Sequence, residues 1–427
     1  MTGMRLVTIG CCLAVVALTA ARSARAAEFS LWPMVELDEI YDNNVKLTPT
    51  NTKGDFVTAE SFGATLEAST AARNFFLTYQ TQMLEYASYG GLDRFGKDHA
   101  ANLRDVENLT PATTLSISDS FLVGDAVSSG ILANGATPIG AQLMQSLFYQ
   151  TSILTNFLSL DLSSRYNSSF TWTGNIHQDL FTTLPTSSAS SSSSSGVYFD
   201  EGGSVGGLWD LPERFVAGFV LQFDDFRSNN SVPTSEVYWP QAKVEWGAGT
   251  PFTLLAQVGP IVSDISAGTI PSSTPGGAAS TTSLAAQTSV NVGYMVSGSY
   301  ATRRLTITAS AGQVPGFGAG FVGYAVEQTY GVLASYKLTR QATVFVNGGY
   351  YTLGGSGVAA DGLMYTAGMT YKLNEYFTLS ANYLGFQTKA SGSGVVGTLV
   401  AVPGQTTTVS LFQVGVTFTP TALKWRL

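Results

Sequence analysis

The chain lacks an apolar run long enough to cross a membrane as a helix, the segment Leu6 to Ala20 being the one stretch that approaches it. Such a helix needs about 20 mostly apolar residues, so a helical membrane protein is excluded. Charge is scarce: 12% of residues are charged, whereas soluble domains carry roughly 25%. Yet the mean hydropathy is positive, at +0.16. Cations are in the minority, with 21 Lys and Arg against 29 Asp and Glu, the wrong sign for binding nucleic acid through its phosphates. There are two cysteines, Cys11 and Cys12, and two histidines, His99 and His177.

Residues 1–26 read as a secretory signal peptide. Arg5 supplies the positive end, Leu6 to Ala20 the apolar middle, and Ala24-Arg25-Ala26 a small-x-small cleavage site. Ile9-Gly10-Cys11 is lipobox-like, an alternative weakened by the apolar segment running on past it. Cleavage after Ala26 removes both cysteines together with Arg5, Arg22 and Arg25. The mature chain, 27–427, then has no disulfide, thiolate ligand or cysteine nucleophile, and is more acidic than the formal net charge of −8.

What the mature chain has in abundance is two-residue alternation. Ala342, Val344, Val346, Gly348 and Tyr350 fall on one face of an extended chain, opposed by Thr343, Phe345 and Asn347. Phe377, Leu379, Ala381 and Tyr383 oppose Thr378, Ser380 and Asn382; Leu305 to Ala311 and Val290 to Val296 repeat the pattern. Period two over about ten residues is the mark of a tilted membrane strand. Tyr336-Lys337-Leu338-Thr339 recurs 35 residues later as Tyr371-Lys372-Leu373-Asn374, with a looser copy from Tyr300. Each copy places Tyr at a strand end before a short polar turn, where an aromatic side chain sits at a membrane interface.

Longer connections fall at Thr186 to Gly196, a serine run, at the polar Ser228 to Thr234, at Ile270 to Thr282, rich in Pro, Gly, Ser and Thr, and at Gly354 to Gly362 and Lys389 to Thr406, Gly-rich or weakly apolar tips, all read as surface loops. Between Asp98 and Leu154 alternation is patchy. A bilayer core satisfies no open sheet edge, so alternating strands must close on themselves. The expected fold is all-β, a single transmembrane antiparallel β-barrel of about sixteen strands within a range of 14–18, with short periplasmic turns and long external loops. The location it implies is the outer membrane of a Gram-negative bacterium. The last alternating segment, Thr407 to Phe418, contains Gln413-x-Gly415-x-x-Phe418, similar to the signal that barrel-assembly machinery reads on closing strands. Because Pro420 follows, either Phe418 ends the strand or Trp425 and Leu427 take over the terminal role.

Near the mature N-terminus, Glu39-Ile40-Tyr41-Asp42-Asn43-Asn44-Val45 is followed by Gly54-Asp55-Phe56-Val57-Thr58, Phe62 to Ala68 and Arg73 to Tyr86. This wording resembles the outer-membrane β-barrel porins of the beta-barrel porin-2-like group, found beside exopolysaccharide and PEP-CTERM protein-sorting systems. The resemblance implies a porin-like barrel linked to exopolysaccharide transport. It implies no catalytic residues. Asp42-Asn43-Asn44 is the best-matched element, read as a cation site at a strand end or as a turn built on Asx side chains.

Two short motifs suggest chemistry and lack its context. Gly202-Gly203-Ser204-Val205-Gly206 fits a nucleophile elbow, but both histidines precede Ser204 and the following residues read as strand. Gly318-Ala319-Gly320-Phe321-Val322-Gly323 fits a dinucleotide loop, but another strand candidate follows where a helix would be required. Two histidines without paired spacing give no metal site, and no cofactor is expected.

What remains is the face that alternation turns inward. A charge on the lipid face costs about 2–4 kcal/mol at mid-bilayer, so charges are expected in the lumen. The candidate lumen-lining residues are Glu67, Gln80, Gln82, Asp161, Arg165, Gln222, Asp224, Lys243 and Glu245. The expected function is a porin-like channel for small hydrophilic solutes or saccharide. The alternatives are a structural barrel whose filled lumen leaves its loops to dock an envelope partner and, last, a barrel hydrolase. The expected partners are outer-membrane lipid, barrel-assembly machinery and polysaccharide or small polar solutes, with no nucleic acid.

Overall fold

In the computed structural model the described residues are 28–46, 50–124, 153–183, 197–228, 234–272, 280–317, 324–355, 359–391 and 406–426. The signal segment, the serine run at 186–196 and the glycine-rich motif at 318–323 lie outside them. The strands are β1 (Glu28–Asp42), β2 (Asp55–Ser69), β3 (Arg73–Tyr86), β4 (Arg94–Thr110), β5 (Thr113–Gly124), β6 (Ile153–Asn167) and β7 (Phe170–Thr183). There follow β8 (Val197–Leu211), β9 (Phe215–Ser228), β10 (Ser235–Trp246), β11 (Phe252–Ile265), β12 (Gly268–Ser272), β13 (Ser280–Leu284) and β14 (Gln287–Ala301). The last are β15 (Leu305–Phe317), β16 (Tyr324–Lys337), β17 (Ala342–Gly355), β18 (Ala359–Lys372), β19 (Phe377–Ser391), β20 (Thr406–Phe418) and β21 (Leu423–Arg426).

From β1 to β11 and from β14 to β20 each strand pairs antiparallel with the next, β11 pairs with β14 across the β12–β13 hairpin, and β1 pairs with β2 on one side and with β20 and β21 on the other. The sheet therefore closes. Counting β20 and β21 as one interrupted strand, and setting aside the separate β12–β13 hairpin, the barrel has 18 strands. This is the top of the expected range rather than about sixteen. The connection expected as a plain loop from Ile270 to Thr282 carries part of that hairpin.

The barrel's two ends differ. At one end the connections are a few residues long, and several use the same device. Thr70, Thr302, Thr339 and Asn374 each accept a hydrogen bond on the side chain from the backbone N–H three residues on, at 2.9–3.0 Å. This Asx- or Thr-type turn reverses the chain without glycine. Tyr300, Tyr336 and Tyr371 stand exposed on the strands just before three of these turns. The strand ends that flank the long connections lie at the opposite end.

Exposed apolar side chains occupy alternate positions: Val290 (67% exposed), Val292 and Val296 on β14, Tyr330, Val332 and Tyr336 on β16, and Phe412, Val414 and Phe418 on β20. These define the outer face. On the opposite face, Asp38, Ser61, Gln82 and Ile261 are buried. At the long-connection end Phe226, Val237, Trp239, Ile261 and Ile265 form an apolar cluster on the inner wall of β9 to β11. Val314 and Val326, from β15 and β16, pack against it. β16 thus touches β10, although β11, β14 and β15 stand between them in the sheet.

Two findings correct the expected placement of charge. Asp105 on β4 and Asp119 on β5 fall on the outer face, in register with Phe75 and Leu158 respectively. Asp105 is held there by Arg73, whose Nε donates at 2.7 Å, and Asp119 accepts from Asn156 Nδ2 at 2.5 Å. A paired or hydrogen-bonded carboxylate escapes much of the cost that drives a lone one inward.

The closing strand reconciles the two expected endings. β20 stops at Phe418, Thr419–Ala422 leave the sheet around Pro420, and β21 resumes the pairing against Glu28–Leu31. There Phe29 and Trp425 stack with centroids 5.5 Å apart and planes 7° from parallel.

Candidate functional site

All nine sequence-selected residues lie on the face of their strands opposite the exposed apolar row. Glu67, Gln80 and Gln82 sit on β2 and β3, where Gln82 is fully buried and donates to Ser61 Oγ at 3.2 Å. Arg165 on β6 pairs with Asp210 on β8 at 2.8 Å, near the short-turn end. Lys243 and Glu245, two residues apart on β10, pair with each other at 2.8 Å. Asp161, Gln222 and Asp224 belong to a different arrangement, a polar network on the inner wall.

That arrangement is a hydrogen-bonded chain across five adjacent strands, β6 to β10. Asn175 Nδ2 on β7 donates to Asp161 Oδ1 at 2.7 Å and to Ser159 Oγ at 2.9 Å on β6. The Asn175 amide oxygen therefore points the other way, 3.2 Å from His177 Nδ1. His177 Nε2 lies 3.3 Å from Asp224 Oδ1 on β9 and 3.9 Å from Asp200 Oδ2 on β8. Gln222 Nε2 donates to Asp224 Oδ2 at 2.9 Å, and Gln241 Nε2 on β10 reaches Gln222 Oε1 at 3.2 Å.

Sheet register builds this cluster. Gly202 is directly opposite His177 on one side and Asp224 on the other. A Cβ at Gly202 would fall 2.5 Å from Asp224 Oδ1 and 2.7 Å from His177 Cε1. The missing side chain lets the two reach each other over the intervening strand. Asp200, two positions along β8 on the same face, completes the group.

His177, Asp200 and Gly202 escaped the sequence reading as a site. Alternation assigns a face but not a height along the barrel, and the three strands' register is not written in any one of them. Gly202 and Ser204, which matched the nucleophile elbow, lie in the middle of β8, a continuous strand that runs on to Leu211 and is followed by one 3-10 turn, Pro212–Arg214, before β9, where an elbow would pass from strand to helix straight after the serine. The other histidine, His99, is on the outer face, its Nδ1 2.8 Å from the Tyr79 hydroxyl. Asp42-Asn43-Asn44 forms a turn: Asn44 N–H donates to Asp42 Oδ1 at 2.7 Å, and Asn43 exchanges hydrogen bonds with the Ser410 backbone. The strands flanking 318–323, β15 and β16, are antiparallel neighbours, whereas a dinucleotide fold requires parallel ones.

No family model matches the chain, and no curated protein matches it. Among solved structures, it is similar to Pseudomonas aeruginosa OccK2 (OpdF) in complex with glucuronate, at 12% identity and a TM-score of 0.44, over 93% of this chain and 98% of that one. Acinetobacter baumannii OccAB4 is similar at 11% identity and a TM-score of 0.41, over 94% and 99% of the two chains. Pseudomonas aeruginosa OccK8 (OprE) follows at 10% identity and a TM-score of 0.42, over 92% and 98%.

Proposed function

We propose that the protein is a bacterial outer-membrane pore for small hydrophilic solutes, with no covalent chemistry. The observation that carries this reading is the closed barrel of 18 strands with an apolar outer row and a polar inner row. A strand of 14 residues, such as β16, spans about 46 Å at 3.3 Å per residue. Tilted by about 45° it crosses roughly 33 Å, close to the hydrocarbon thickness of a bilayer. Barrels of 16–18 strands leave an aqueous channel. Solute choice would then come from charged rings on the wall, which here hold Asp161, Arg165, Lys243 and Glu245. A link to exopolysaccharide traffic rests on the N-terminal resemblance alone.

The inner apolar cluster that joins β10 to β16 favours a second reading, a barrel with a filled lumen that acts through its loops. Planar-bilayer recording on the refolded barrel separates the two. Stepwise conductance supports the pore; a folded, inserted barrel that passes no current removes it.

A further inference from the structure

We infer that His177, Asp200 and Asp224 form a binding site for a borderline divalent cation, for which Zn2+ is the simplest probe. Their ligand atoms all lie within 4.8 Å of one another, with separations of 3.3 and 3.9 Å from the imidazole to the two carboxylates. Two ligands each about 2.1 Å from a shared zinc ion are about 3.4 Å apart at the tetrahedral angle. The group therefore needs little movement to close on an ion.

The carboxylates point independently to a cation. Asp200 and Asp224 are 7% and 2% exposed. Asp200 Oδ1 accepts no hydrogen bond, and Asp224 Oδ1 has His177 alone beside it. Among the described residues no Lys or Arg pairs with either. Two buried carboxylates against one imidazole, with Asp179 directly opposite Asp200 on the same face, leave negative charge in excess, which a proton or a cation must offset.

The surroundings are those of a metal-binding histidine. Asn175, fixed by its own bonds to Ser159 and Asp161, accepts from Nδ1–H and so leaves the Nε2 lone pair toward the two acids. One imidazole with two carboxylates suits borderline ions such as Zn2+ better than Ca2+, which takes six to eight oxygens. Three protein ligands leave a fourth position open for water or a passing solute. The site requires a folded barrel but not an open one, so it stands apart from the pore reading.

The test is isothermal titration of ZnCl2 into the chelator-treated, detergent-folded barrel. Folding is checked by the migration of unheated against heated samples. One saturable ion per barrel is expected, lost in Asp224→Asn and His177→Gln, which keep side-chain size. Should either fail to fold, Asp200→Asn serves, since its Oδ1 bonds nothing. Asn175→Ala should weaken binding about 10–100-fold at unchanged stoichiometry. The site is refuted if the folded wild-type barrel takes up no Zn2+ saturably, if these variants bind as it does, or if Ca2+ binds more tightly than Zn2+.

Discussion

Asp38 on β1 faces Gly415 on β20 across the seam where the barrel closes, and the Asp38 carboxylate occupies the space a Cβ at 415 would need. Ser380 Oγ from β19 would lie 3.1 Å from the same Cβ. The glycine of Gln413-x-Gly415-x-x-Phe418 thus has a structural duty besides any recognition during assembly. Gly415→Ala should overpack the seam at a cost of about 1–3 kcal/mol, seen as a lower midpoint in denaturant and a smaller fraction of heat-modifiable barrel. An unchanged midpoint would show that Asp38 moves aside freely.

The outer and inner faces should respond oppositely to the same substitution. Val292→Arg, on the exposed face of β14, is expected to cost about 2–4 kcal/mol in a lipid bilayer. Ser163→Arg, on the inner face of β6, should stay within about 0.5 kcal/mol. Reversible unfolding from lipid vesicles measures both; equal costs would contradict the assignment of faces.

Arg73 and Asp105 form a buried pair just beyond the β2–β3 turn, with the guanidinium donating from both Nε and a terminal nitrogen. Removing the cation alone, in Arg73→Ala, leaves the carboxylate uncompensated and should destabilise by about 3–5 kcal/mol. The double variant Arg73→Ala with Asp105→Ala should recover part of that loss. A double-mutant cycle with no coupling would rule out the pair as the reason Asp105 is tolerated outside.

Trp239 is the largest member of the apolar cluster on the inner wall. If that cluster narrows the lumen, Trp239→Ala should raise single-channel conductance while lowering stability by about 3–5 kcal/mol. Trp239→Leu should do both less. Conductance unchanged in both variants would place the constriction elsewhere.

The sequence makes some parts of this architecture plain and hides others, for physical reasons. Where the outer row is unbroken, as from β14 to β20, period-two alternation shows the strands, and the Tyr300, Tyr336 and Tyr371 turns show their ends. Across β4 and β5 the outer row includes Asp105, Glu107 and Asp119, so the alternation blurs and the strand count comes out low. A carboxylate whose partner sits on a neighbouring strand looks, in one dimension, like an inward-facing residue. The His177 cluster is hidden more deeply: its members are 23 and 24 residues apart, and nothing local says that Gly202 lies between the other two.

The closing strand reaches β1 in two pieces, so the stretch from Trp32 to Met34 has no neighbour on that side. Pro33, in the middle of the gap, brings no N–H that would need one. Closure is therefore divided between a zip and a latch. Eight residue pairs from Val35 to Asp42 set the alignment of the two ends, and the four from Glu28 to Leu31, clamped by Phe29 on Trp425, fasten the rim. A chain cut after Phe418 would keep the eight pairs that set the alignment and lose the four that join the rim at the short-turn end.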